Sequence, residues 1–215
     1  KILIPTFTML PAIWFVPAQF LWIAAYALSM PIASFSLLWI NDSQFTTWSF
    51  VAPTMAADTI SIPLLLLTCW LLPLMIVASQ HHMDQEPVNH QRMYLTILVF
   101  LQVFLVLAFG TTSMILFYIT FEATLIPTLM LIARWGIREL RLSAGSYLLF
   151  YTIAGSIPLL IALLLLEAKL GTLSLLVLPL THNPTPPDDS GTFWAVALLM
   201  AFMIKMPLYG THIWL

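Results

Sequence analysis

Apolar residues run along this chain in long unbroken stretches, separated by short polar segments. The stretches are Ile2–Val16, Phe20–Ile40, Ile60–Ser79, Met93–Gly110, Ser113–Ala133, Ser146–Leu166 and Trp194–Leu215. The first carries Pro5 and Pro11 and is the shortest. Hydrocarbon about 30 Å thick is crossed by roughly 20 helical residues at 1.5 Å each. Strands of a membrane barrel would alternate polar and apolar over about 10 residues. Leu64–Leu67 and Ile161–Leu166 do not alternate, so helices are expected. The pattern predicts an all-α, polytopic membrane helix bundle with about seven spans.

The polar segments hold nearly all the charge. Asn41–Thr59 contains Asp42 and Asp58, and Gln80–Arg92 contains His81, His82, Asp84, Glu86, His90 and Arg92. Arg134–Arg141 sets three arginines against Glu139, and Glu167–Thr192 sets Lys169 against Glu167, Asp188 and Asp189. The run Asn183–Pro187 is a non-helical connector. Alternating spans put Arg92, Arg134, Arg138 and Arg141 on one side, with Lys1 and Lys169 on the other. Cationic loops favour the inner side, so the arginine loop is expected inside and the N-terminus outside. Neither a secretory signal nor an Arg- and Ser-rich transit segment precedes the spans, so the spans themselves are expected to direct insertion.

Composition narrows the function. The chain has 215 residues, 61% hydrophobic and 7% charged, with mean hydropathy +0.99. A soluble domain carries about 25% charged residues, so a soluble enzyme is excluded, and a disordered chain with it. A net charge of -2 offers no basic field for nucleic acid. One cysteine, Cys69, allows no internal disulfide and reads as a small packed hydrophobe. The three histidines of Gln80–Arg92 read as a solvated loop, and no metal site is expected. No phosphate loop, paired-cysteine motif or Ser/His/Asp set is visible.

Two ionised side chains remain at membrane depth: Glu122 and Lys205. Each costs about 2.5–3.5 kcal/mol at a helix centre on insertion scales. Such groups face a bundle interior or water and often line an ion route, although a buried pair can also merely fix helix register. Lys205 is followed by Pro207 and Gly210. A proline has no N–H, so the carbonyl of Met203 is left for protein or water to satisfy. A lysine beside such a break is the pattern of a discontinuous transporter helix. Pro127 frees a carbonyl near Glu122 in the same way. Low-dielectric burial disfavours the charge on either group, and their mutual attraction opposes that. His212 stands seven residues after Lys205, two turns along the same face, and can extend a proton route.

Three segments carry a family resemblance. Phe117–Pro127 with Arg134-Trp135-Gly136 resembles the fifth-helix motif of the NADH–ubiquinone oxidoreductase chain 4 family. Tyr147–Tyr151 with Gly155–Leu160 resembles the sixth helix. Lys205–Gly210 with His212–Leu215 resembles the broken seventh helix. The resemblance covers essentially the whole chain and is to the vertebrate mitochondrial form. It implies an antiporter-like subunit of respiratory complex I, in a fold of about fourteen helices with two inverted repeats. Residues 1–92 would be the three N-terminal helices, and 93–215 an incomplete first repeat. The family's glutamate and lysine roles fall on Glu122 and Lys205, and its histidine on His212. The family passes protons across the mitochondrial inner membrane, driven by quinone reduction elsewhere in the complex. The lack of an initiator Met and the end inside the seventh helix suggest a partial sequence.

No cofactor is expected in this chain; NADH, FMN, iron–sulfur clusters and ubiquinone would be held by other subunits. Expected partners are other complex I membrane subunits, above all neighbouring antiporter-like ones, and the lipid bilayer. Two other readings stand beside this one. The chain could belong to a free-standing cation/proton antiporter, which shares the Glu and the broken-helix Lys. It could also be a structural subunit with a buried ion pair. Motif detail favours complex I over the antiporter. Proline breaks beside the charges disfavour the scaffold.

Overall fold

The computed structural model describes residues 2–42, 54–136, 140–177, 191–206 and 208–209. Every regular element among them is helical. They are α1 (Leu3–Phe15), α2 (Leu21–Asp42), α3 (Ser61–Met83), α4 (Val88–Gly110), α5 (Met114–Ala123), α6 (Leu125–Trp135), α7 (Arg141–Leu170) and α8 (Gly191–Lys205). A single 3-10 turn, Ala18–Phe20, leads into α2. Extended pairing is limited to isolated bridges, Met55 with Thr111 and Ser113 with Ser174.

Five helical segments are long and apolar enough to cross a membrane: Ala18–Trp39, Ser61–Met83, Val88–Gly110, Met114–Trp135 and Arg141–Leu170. Leu3–Phe15 and Trp194–Lys205 are shorter apolar helices. The chain is thus a multi-pass membrane protein, and each apolar run of the sequence contains helix. Two boundaries differ from expectation. The fifth run is two helices, with the interruption at Thr124. The sixth run extends five residues upstream, to Arg141, and four downstream, to Leu170. Helical hydrogen bonding continues into polar residues beyond the hydrocarbon, because a backbone ladder does not depend on side-chain polarity.

The chain divides into two compact units, residues 1–111 and 112–215. α4 packs with α1 and α3 in the first unit. The buried positions of α3 include Leu65, Cys69, Leu72 and Ile76, and those of α4 include Gln91, Leu95, Leu98 and Gln102. Both series step by four, three and four, so each marks one helical face. The opposite faces expose Leu67, Leu74 and Phe100, apolar side chains suited to lipid.

Polar groups fix the ends of this unit. The Arg92 guanidinium donates to the carbonyls of Trp14 (3.1 Å) and Val16 (2.9 Å), at the C-terminus of α1. Those carbonyls have no helical partner of their own, and a cation there also suits the helix dipole. Trp22 Nε1 donates to Gln91 Oε1 at 2.9 Å, and Gln91 Nε2 donates to the Glu86 carbonyl at 2.9 Å.

In the second unit α7 packs against α5, α6 and α8. Its core gathers Leu159, Leu163, Leu166, Leu173 and Ala201. α7 ends on Gly171, whose φ of 72° is the left-handed conformation that glycine adopts without strain. The Gly171 N–H closes the last turn on the Glu167 carbonyl at 2.8 Å.

Candidate functional site

The site is built where α5 gives way to α6. Ser113 caps α5, its hydroxyl accepting from Leu116 N. The helix then runs through Glu122 and ends at Ala123. Pro127 stands in the first turn of α6, where a missing N–H is tolerated. Pro11, Pro31, Pro73 and Pro158 lie within continuous helices, so a proline by itself does not interrupt this chain. At Thr124 the freed carbonyls have substitutes. The Thr124 hydroxyl donates to the Phe121 carbonyl at 2.7 Å, and Thr120 and Thr128 make similar bonds to their own preceding turns. These threonines are four apart and share one face of the segment. Such back-bonding loosens and bends a helix.

Lys205 reaches this interruption from α8. Its Nζ donates to the Phe121 carbonyl at 2.7 Å and to Thr124 Oγ1 at 3.3 Å. It also lies 3.3 Å from the centroid of the Phe121 ring, a cation–π contact. Phe121 is held by Phe117 and Phe202, with centroids 5.6 and 5.4 Å away. The close approach of α8 depends on Gly155 of α7. A Cβ added there would meet Ile204 Cδ1 at 2.5 Å and Ile204 Cβ at 3.3 Å. Ile204 is the neighbour of Lys205, so a side chain missing from α7 helps set the height and distance of the ammonium.

Glu122 lies within electrostatic reach of Lys205, and the Ser156 hydroxyl of α7 is beside its carboxyl. The two charged groups are not an ion pair, having no N–O separation within 4.0 Å; among the described residues that criterion is met by His90 with Glu86, at 3.0 Å. The structure thus brings together Glu122 and Lys205, with Pro127 three residues past the interruption. Pro207, Gly210 and His212 lie outside the described residues. Sequence reasoning missed Thr124, the Phe121 carbonyl, Gly155 and Ser156. The threonines at 120, 124 and 128 were the available signal, since their spacing of four beside a proline marks a strained turn.

The other candidates belong to the first unit. His81 and His82 end α3, and His90 is in the first turn of α4. Cys69 is buried in the first unit, near Thr68 and Gln102. Gln102 is itself buried on α4, with neither amide atom hydrogen-bonded.

A buried lysine and a nearby glutamate at an interrupted helix mark this as a multi-pass membrane protein that carries charge inside its bundle. The comparisons specify it further. Residues 1–108 match the family model described as NADH-ubiquinone oxidoreductase chain 4, amino terminus. Residues 111–215 match the model described as NADH:quinone oxidoreductase/Mrp antiporter, TM. The chain belongs to the NADH-ubiquinone oxidoreductase chain 4 family. Proteins of that name from Danio rerio, Gadus morhua and Struthio camelus are 53%, 52% and 50% identical over all 215 residues. The chain spans about half the length of these relatives, 47% in each case.

Proposed function

We propose that this chain acts as a core membrane subunit of the proton-pumping NADH:ubiquinone oxidoreductase, complex I, in the mitochondrial inner membrane. Its contribution to that enzyme is part of a proton route through Glu122 and Lys205, continued by His212. The observation that carries the reading is the Lys205 ammonium at the α5–α6 interruption, within electrostatic reach of Glu122. An ammonium held by neutral acceptors beside a carboxylate can exchange its proton when the balance of nearby charge changes. A fixed structural pair would instead favour direct contact with good geometry.

The redox step belongs elsewhere in this proposal. NADH, FMN, iron–sulfur clusters and ubiquinone are assigned to other subunits, and neighbouring antiporter-like subunits are the nearest partners. The match of residues 1–108 favours this reading over a free-standing antiporter, because that model's description names chain 4 alone.

The test is Lys205→Ala in the assembled complex. Proton pumping is expected to fall about a hundredfold, the size of a lost general acid–base group at the low end of its range. The complex should still migrate intact in a mild-detergent native gel. Normal pumping by an intact Lys205→Ala complex would overturn the proposal.

A further inference from the structure

We propose that the α5–α6 interruption is a second docking site for the Lys205 ammonium, separate from Glu122, and that Thr124 is the positioning residue that builds it. The inference rests on the proton-route reading and adds a residue to it. Three observations point the same way. First, the Phe121 carbonyl stands where its helical acceptor role is interrupted, and it receives two donors, Lys205 Nζ and the Thr124 hydroxyl, each at 2.7 Å. Second, Thr124 Oγ1 gives its hydrogen to that carbonyl and presents a lone pair to Lys205 at 3.3 Å. One hydroxyl therefore orients the acceptor and adds a second one. Third, the Phe121 ring face lies under the ammonium.

The site is neutral throughout: a carbonyl, a hydroxyl and a ring face. Glu122, one residue from Phe121, is a charged alternative. A neutral site and a charged site within the sweep of one lysine side chain give the ammonium two positions. Their relative occupancy shifts when the charge of Glu122 changes, because only one of them depends on that charge. Thr124 is nine-tenths buried, so water does not readily replace its hydroxyl. The ammonium carries three donors and meets two acceptors here, the Phe121 carbonyl and Thr124 Oγ1, which leaves one donor for water or for Glu122 in passage.

Thr124→Val keeps the branched shape and removes both roles of the hydroxyl. Thr124→Ser keeps the hydroxyl. The experiment measures proton pumping per NADH oxidised in the assembled, membrane-embedded complex for both variants, in the normal and the Lys205→Ala backgrounds. Thr124→Val should lower pumping about threefold to tenfold, the scale of one ordinary hydrogen bond, since the 3.3 Å contact to the ammonium is long. Thr124→Ser should stay within about twofold of normal, by the same scale. In the Lys205→Ala background Thr124→Val should add nothing, since the hydroxyl acts through the lysine. Normal pumping by Thr124→Val would overturn the inference. So would an equal loss in Thr124→Ser, or a loss that persists without Lys205, because each would mark a purely structural role. Impaired Lys205→Ala with normal Thr124→Val would overturn this inference alone. Normal Lys205→Ala would bring down the proton-route reading and this inference together.

Discussion

Ile204 packs directly on Gly155, so that any Cβ at that glycine would lie 2.5 Å from Ile204 Cδ1 and 3.3 Å from its Cβ and Cγ1. The contact joins α7 to α8 one residue before Lys205. Membrane helices lack a hydrophobic force between them and associate through such close packing of small residues. The glycine thus serves the site without touching it.

Gly155→Ala should push α8 away and cost about 1–3 kcal/mol, the usual penalty of overpacking. The Cδ1 methyl can rotate aside, whereas the Ile204 Cβ cannot. Pumping and assembly should both fall in Gly155→Ala. They should recover in the double variant Gly155→Ala/Ile204→Ala, where space is returned. A double variant as impaired as the single one would place the effect outside this contact.

Arg92 was legible as a charge that sets topology; its structural role is to complete α1. Arg92→Ala removes two charge-assisted hydrogen bonds to Trp14 and Val16 carbonyls. A loss of about 1.5–3 kcal/mol in stability is expected. Lysine offers one compact cation in place of the planar fork, so Arg92→Lys should recover only part of it. Thermal unfolding of the purified protein, with the three forms side by side, checks the order normal, Arg92→Lys, Arg92→Ala.

Orientation follows from the arginines. The Arg134–Arg141 segment is predicted to face the matrix and Glu167–Thr192 the intermembrane space. Leu140 and Val177 are exposed, and the native Cys69 is buried, giving a low background for thiol reagents. Leu140→Cys should react only from the matrix side, and Val177→Cys only from the other. The reverse pattern would invert the topology.

The fold was readable to the extent that hydrocarbon imposes it. Seven apolar runs contain the helices, since length and continuity are what the bilayer demands. Hydropathy reports contact with lipid, not the end of a hydrogen-bonded ladder, so α7 runs past its apolar stretch at Arg141 and Leu170. For the same reason the Gln80–Arg92 segment is mostly helix, with only Asp84–Pro87 between α3 and α4. Glu122 and Lys205 were legible because charge at membrane depth is costly. Phe121 was not, because its contribution is a backbone carbonyl, and every residue has one. That carbonyl becomes special only through the interruption at Thr124. Pro127 hinted at the interruption, but Pro31, Pro73 and Pro158 carry the same hint inside continuous helices.

Proton exchange at Lys205 is the centre of the account, and Lys205→Arg in the assembled complex tests it most directly. Arginine keeps the positive charge and the ability to donate to Phe121 and Thr124, yet it does not release a proton in a protein. A scaffold that needs only a fixed cation would accept the change. A relay would not. The account predicts an intact complex whose pumping per NADH falls nearly as far as in Lys205→Ala. An intact Lys205→Arg complex that pumps at the normal rate would contradict it.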